Sequence, residues 1–281
     1  MYSINYSHFG DVKQWYGVPG ENATQFEKVA KEFYRESFIE SPDLLHHMTT
    51  QISVSRLVAN KIPVYQVKQD ARTFIITFPK AFHSGFSYGF NCGEAVNFAS
   101  PDWLPFGDDA EKRYRTCLIP RQSVFSHVRL LFTLMNHATD LSQKDKEILW
   151  LQIDKVLDEE IGARYAIKAQ HIEESEFGPA YKNNFSVIDQ AAADYDDQRM
   201  CALCKQVCVF SAIACECSAS DVSCIRHYHM LCKCDKKGEN DRGGTSKRKN
   251  RRFLISWATI AELNRLREES KSILGIETKH L

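Results

Sequence analysis

Apolar and polar positions along the chain change their period several times, and each change predicts a different element. Tyr2, Ile4 and Tyr6 alternate with Ser3 and Asn5, the period-two pattern of a strand, and a second apolar strand is expected at residues 74–78, ended by Pro79. Between them, residues 23–40 carry Phe26, Val29, Ala30, Phe33 and Phe38 at near-helical spacing, and Pro42 followed by Leu44 and Leu45 predicts another short helical piece. Strands interrupted by helices make residues 1–118 a mixed, α+β domain. Over residues 122–170 the period becomes helical, with Ile148, Leu149, Leu151, Ile153, Val156, Leu157 and Ile161 forming a stripe among charges such as Lys144, Lys146, Asp158 and Glu159. Residues 119–200 are therefore expected to be a helical linker domain. Leu254, Ile255, Trp257, Ile260, Leu263, Leu266 and Ile273 predict a return to helix over residues 253–281.

The chain has 281 residues, 43% hydrophobic and 26% charged, enough apolar material for one large or two small cores. Lys+Arg and Asp+Glu both count 36, so no whole-chain field points to nucleic acid or an acidic membrane, and any basic patch must be local. Apolar runs such as Phe74-Ile75-Ile76 fall far short of the roughly 18 to 20 residues that span a bilayer, so no membrane partner is expected. The opening Met-Tyr-Ser-Ile-Asn-Tyr-Ser-His lacks the basic flank and apolar run of a secretory signal, and a cytosolic or nuclear protein is expected. Glu173, Glu174, Glu176, Asp194, Asp196 and Asp197 read as a solvated face or loop. Residues 236–252 hold eight Lys/Arg against two acids with Gly243-Gly244, a composition that buries little and predicts a basic flexible loop over 235–252. The alternative for that tract is a nuclear-localisation signal or a weak nucleic-acid contact.

Eight of the ten cysteines fall between Cys201 and Cys234, at metal-ligand spacings that a reducing compartment favours over disulfides. Zinc takes four soft or borderline ligands in a closed, structural tetrahedron. Cys-x2-Cys and Cys-x2-His each span one edge, so Cys201, Cys204, Cys224 and His227 can close one site. The tight pairs Cys215/Cys217 and Cys232/Cys234 would close the other, interleaved in sequence as a cross-brace. Two Zn(II) ions are thus expected within residues 201–234, leaving Cys208 as a buried thiol beside Phe210 and Ile213, and His229 on the surface.

Near the N-terminus, alternation places Ser3 and Asn5 on one strand face, with Lys13 and Trp15 just beyond. A lysine, a hydroxyl and an amide converging on an aromatic-lined pocket suit a small dicarboxylate, whose one carboxylate the ammonium pairs. The alternative is an ordinary polar strand end and a solvated lysine. His83 follows an apolar strand and opens a glycine-punctuated turn, where a histidine serves as metal ligand, as general base or simply as a hydrogen-bonded group.

The segments from Tyr2 to Pro19 and from Thr77 to Asn91 closely resemble the second half of a jumonji C (JmjC) domain, the fold of Fe(II)- and 2-oxoglutarate-dependent histone lysine demethylases. The resemblance runs from Tyr2 to about Tyr114. Together with the five-Cys, one-His, two-Cys zinc finger it points to the JARID-type demethylases. It implies a partial double-stranded β-helix (jumonji/cupin) over residues 1–118, followed by the helical domain and the zinc module. It further implies that His83 is the distal histidine ligand of Fe(II) and the catalytic residue. Lys13 would bind the far carboxylate of 2-oxoglutarate, Ser3 and Asn5 would line the same pocket, and Trp15 would pack against it. Ser87 stands where the family usually has an asparagine near the cofactor. The resemblance implies a nuclear chromatin regulator acting on the methylated histone H3 tail, at lysine 4, within chromatin complexes. A related branch acting on lysines 9 and 36 carries a Cys-x5-His zinc pair, and Ser41 stands here where its cysteine would be, six residues before His47. An iron facial triad needs two histidines and a carboxylate. The family supplies two of these as His-x-Glu or His-x-Asp shortly before the Tyr-Ser-Ile-Asn-Tyr strand, where this chain begins. His8 and Asp11 correspond to non-ligand positions, so an N-terminally shortened, inactive chain is expected. A non-catalytic zinc-binding scaffold is the alternative reading.

Overall fold

The computed structural model describes residues 1–46, 51–172, 174, 199–217, 221–232 and 252–277. They divide into two compact units, the first comprising Met1–Ala110 with Cys117–Ile119 and the second Glu111–Thr116 with Pro120–Leu281. Among the described residues no helix is long and apolar enough to cross a membrane.

The first unit is built on two three-stranded antiparallel sheets. In one, β1 (Tyr2–Gly10) lies between β4 (Phe74–Thr77) and β6 (Asn91–Phe98); in the other, β2 (Lys13–Val18) lies between β3 (Tyr65–Gln69) and β5 (Phe82–Ser87). The alternation of β1 sorts its faces. Tyr2, Ile4 and Tyr6 share one face with Phe98, Val96, Ile76 and Phe74, while Ser3 and Asn5 share the other with Thr77, Ile75, Asn97 and Ala95. Gly10 turns the chain from β1 into β2 at φ +100°, with its Cα so close to the neighbouring strand that a Cβ would lie 2.3 Å from the Phe90 carbonyl oxygen.

The second sheet is backed by helices. Val18 of β2 is buried with Val29 and Ala30 of α1 (Ala23–Phe33), Leu57 of α3 (Val54–Ala59), Ile52 and Ile62. The helix expected over 23–40 breaks at Tyr34 (φ −110°, ψ 36°), after which α2 (Arg35–Glu40) starts afresh. Leu44–His46 forms a single 3-10 turn.

After β6 the chain enters α4 (Leu104–Thr116), whose last turns belong to the second unit. There α5 (His127–Met135) and the long α6 (Gln143–Lys168) are each started by a serine, Ser126 and Ser142, whose hydroxyl accepts a backbone N–H of the first turn. Leu149, Ile153 and Leu157 recur every four residues on α6 and are fully buried.

One expectation fails here. Arg252, expected to end the flexible loop, and residues 253–256, expected to begin the helix, form β8 (Arg252–Ser256), paired with β7 (Ser211–Cys215); the helix α7 (Ile260–Ile273) begins only behind a Thr259/Glu262 capping box. Short apolar runs fit either period, and here the partner strand decides. Every residue of β7 is buried, as are Arg252, Leu254 and Ile255 opposite. The acidic residues Glu173, Glu176, Asp194, Asp196 and Asp197, the basic tract up to Arg251, His47 and Cys234 lie outside the described residues.

Candidate functional site

The register of the second sheet puts the N-terminal candidates in line. Lys13 is opposite Ser87, Trp15 opposite Gly85 and Gly17 opposite His83, so Lys13, Trp15, Ser87 and His83 share one sheet face. The strands approach closely at the centre of that row, where a Cβ on Gly85 would lie 2.1 Å from the Gln14 carbonyl oxygen. The ammonium of Lys13 sits 5.0 Å over the Trp15 ring, whose centroid is 6.1 Å from that of His83. His83 is exposed, and its Nδ1 is 3.0 Å from the Ala81 carbonyl oxygen. With the Nδ1 hydrogen held there, Nε2 presents its lone pair, the arrangement typical of a metal-binding imidazole.

Ser3 and Asn5 are brought together on the polar face of the other sheet. The Ser3 hydroxyl is 2.6 Å from that of Thr77, and the Asn5 amide donates to Ser3 Oγ at 3.1 Å. Gln69, buried and missed from sequence, links the sheets. Its Oε1 accepts from the Trp15 indole N–H at 2.9 Å, and its Nε2 donates to the Asn5 carbonyl at 3.0 Å. The signal for Gln69 was its register opposite Lys13, which needs β3 to be placed first.

The cysteine module is the stronger metal centre. Cys201, Cys204, Cys224 and His227 bring their ligand atoms within 4.8 Å of one another. Tetrahedral zinc with Zn–S near 2.3 Å sets sulfurs about 3.8 Å apart. Cys204 and Cys224 sulfurs are 3.9 Å apart, and His227 Nδ1 lies 3.3 Å from Cys224 and 3.8 Å from Cys201. Hydrogen bonds from Cys204 and Cys224 hold Cys201 well below the ordinary thiol range. Cys204, which gives its hydrogen bond to Cys201, is pushed up to about 11, and Cys224 is raised for the same reason. Such a proton-sharing set is what a cation replaces. A second group joins Cys215, Cys217 and Cys232; Cys217 is exposed, and Cys234, its expected fourth member, lies outside the described residues. Cys208 is buried against Ala212, Ala214 and Ile255, with burial raising its thiol, and His229 is exposed.

Comparison with known proteins fits both halves. A family model described as "JmjC domain, hydroxylase" matches residues 1–98, and one described as "C5HC2 zinc finger" matches residues 201–266. The second match continues past the expected boundary at 234, across β8. "Lysine-specific demethylase JMJ17" of Arabidopsis thaliana is 34% identical over 284 residues, covering 99% of this chain and 21% of that protein. "Lysine-specific demethylase 5B" of Gallus gallus is 38% identical over 233 residues, covering 83% of this chain and 14% of its own. The chain thus spans about a fifth or less of these relatives. It carries a cupin-like JmjC domain and a C5HC2 zinc finger and is homologous to the lysine-specific demethylases.

Proposed function

We propose that the sheet face bearing Lys13, Trp15, His83 and Ser87 is the co-substrate wall of a histone lysine demethylase, with histone H3 methyl-lysine 4 as substrate, and that the cysteine module holds two structural zinc ions. The observation that supports it most is the register aligning an ammonium and a histidine with a free Nε2 on one face. In this reading Lys13 pairs the far carboxylate of 2-oxoglutarate and Trp15 flanks its chain. Ser3, Asn5 and Ser87 offer neutral polar groups, and His83 gives one ligand to Fe(II). Fe(II), when bound, would activate O₂ with 2-oxoglutarate as co-substrate: one oxygen atom would enter 2-oxoglutarate as it becomes succinate and CO₂, and the other would hydroxylate an N-methyl group, which then leaves the amine as formaldehyde. The working protein is then nuclear, a chromatin regulator engaging the methylated H3 tail, with residues 236–252 as a further nucleic-acid contact.

Neither of the two donor groups among the described residues includes His83. One ligand of a facial triad holds iron poorly, so the 281-residue chain itself is expected to give no succinate with Fe(II), 2-oxoglutarate and methylated H3 peptide. Binding is the sharper test. Equilibrium dialysis should detect 2-oxoglutarate on the zinc-loaded chain, and Lys13→Met should weaken it at least tenfold, because a charge-assisted pair is worth about 1.5–3 kcal/mol. Equal binding by both proteins would sink the assignment of Lys13. No binding by either, with zinc in place, would favour the scaffold reading.

A further inference from the structure

The stretch between α4 and α5 carries no zinc ligand and lies outside the Lys13 and His83 face, yet a ligand-bearing loop holds it. α4 ends in a largely buried ion pair, Arg115 with Glu111 at 2.6 Å, their side chains 15% and 11% exposed. Residues 117–119 belong to the first unit, and from Pro120 onward the chain is part of the second, which contains the cysteine module. Just past that change the Arg121 carbonyl accepts from Gln206 Nε2 at 2.6 Å, and the Ser123 hydroxyl donates to Gln206 Oε1 at 2.6 Å. Gln206 Nε2 also donates to the Cys204 carbonyl, at 3.3 Å. Gln206 is buried, so both hydrogens and the oxygen of its amide are satisfied inside the protein, two bonds by the segment at 121–123 and one by the backbone of a candidate ligand.

The loop that presents Cys201 and Cys204 also aims Gln206. The Cys201 N–H donates to the Gln206 carbonyl at 2.9 Å, the Lys205 N–H donates to the Cys201 carbonyl at 3.0 Å, and the Cys204 N–H is 3.5 Å from Cys201 Sγ. Lys205 completes the turn at φ +57°, a left-handed conformation that a residue with a Cβ resists. Such a turn keeps its shape when something beyond it fixes its ends, and a zinc shared by Cys201 and Cys204 does so. The stretch has another tie, from Lys112 of α4 to Glu159 of α6 at 2.9 Å, with the same carboxylate taking Arg226, between Cys224 and His227, at 2.5 Å. Those side chains are a third to nearly a half exposed, where ion pairs contribute little, so the buried amide is the tie that decides.

We propose that Gln206 clamps residues 120–123 to the first zinc site, so that zinc loading and docking of this segment stabilise one another. The proposal rests on the reading of Cys201, Cys204, Cys224 and His227 as zinc ligands. By linkage, freeing the segment weakens zinc binding by the same factor by which losing zinc frees the segment. The metal thereby acts beyond the cysteine module, on the chain where it enters the helical domain.

Trypsin reads the clamp directly, because the carbonyl it attacks after Arg121 is the one that Gln206 holds. In the zinc-loaded full chain, Gln206→Met should speed cleavage after Arg121 about tenfold over the parent, while cleavage after the exposed Lys31 of α1 stays unchanged. Chelation should bring the parent at least to that rate, and the chelated variant should gain little more, since metal and amide act through one contact. The reciprocal arm starts from the segment. Ser123→Ala, which touches no ligand, should surrender one zinc at about threefold lower concentration of a chromophoric chelator, and Gln206→Met at about tenfold lower. Cleavage after Arg121 at the parent rate in zinc-loaded Gln206→Met overturns the proposal. So does chelator resistance unchanged in both variants. A parent chain that takes up no zinc overturns the ligand assignment itself, a separate failure. Should Gln206→Met not fold, Ser123→Ala, outside the cysteine module, carries both measurements, with effects of about threefold expected.

Discussion

Stripping zinc from the chain at neutral pH is expected to abolish the folded state of the cysteine module. The reason lies in what else holds it. Its buried cluster comprises Cys201, Cys204, Cys208, Ala212, Ala214, Val222 and Ile255, so two of its members are themselves ligands and two more are alanines. Ile213, Ile225 and Leu254 are buried separately with Ile167 and Ile172, so the part with little apolar area to offset backbone ordering once the metal is gone is the ligand-bearing segment around Cys201, Cys204 and Cys224. Structural zinc supplies on the order of 10 kcal/mol in small domains. Chelation followed by circular dichroism should therefore remove a cooperative transition that zinc restores. Acid should act in the same direction. The ligands must be thiolates, and in the metal-free cluster Cys204 is pushed up to about 11 and Cys224 is raised, both through the hydrogen bonds they give to Cys201. Zinc uptake at pH 7 must displace those protons, and falling pH lets them compete back, so the stability contributed by zinc is present at neutral and alkaline pH and lost toward acid. Proton release on zinc addition in weakly buffered solution measures this directly. A module that melts identically with and without chelator would contradict it.

Arg164→Met should be the most damaging single substitution away from the metal, at about 3–5 kcal/mol. Arg164 lies on α6 with its side chain 2% exposed, and its ion pair with Glu160 is 2.8 Å long. The same guanidinium donates to the Ser256 hydroxyl at 3.1 Å, to the Ala258 carbonyl at 2.5 Å and to the Phe210 carbonyl at 3.0 Å. Phe210 precedes β7 and Ala258 follows β8, so one side chain fastens the long helix to the near ends of both strands. Methionine would fill similar space but strip the cation from the largely buried Glu160, which keeps only the Ser211 hydroxyl, while the Ala258 carbonyl keeps the Ser256 hydroxyl and the Phe210 carbonyl the Trp257 N–H; the cost is that of a buried carboxylate left without its countercharge. Urea unfolding of the zinc-loaded chain is the measurement. A shift below about 1 kcal/mol would show that water replaces the guanidinium freely.

The parts most legible in the sequence were those whose signal is local. The Cys-x2-Cys and Cys-x2-His spacings name four residues that the fold brings within 4.8 Å, because a tetrahedral edge fixes sequence spacing as well as distance. The alternation of Tyr2 to Tyr6 and the four-residue seam of α6 are local in the same sense. What stayed hidden depends on partners far along the chain. Whether 252–256 is strand or helix is settled by β7, some forty residues earlier. Gln69 gains its role only from the pairing that sets it between Trp15 and Asn5. Arg115 and Arg164 look, in sequence, like any solvated helix charge, since burial is not written into a single polar position. The resemblance to the JmjC family placed Lys13, Trp15 and His83 on one site where composition left a dicarboxylate pocket and a solvated strand end equally open.

The sharpest test of that site is residue-resolved. Titrating 2-oxoglutarate into the zinc-loaded, isotopically labelled chain and following ¹⁵N spectra should move the Trp15 indole N–H and the amides of Lys13, His83 and Ser87, while α1 amides stay still. Shifts confined to other surfaces, or none at millimolar 2-oxoglutarate, would contradict the assignment of this face as the co-substrate wall.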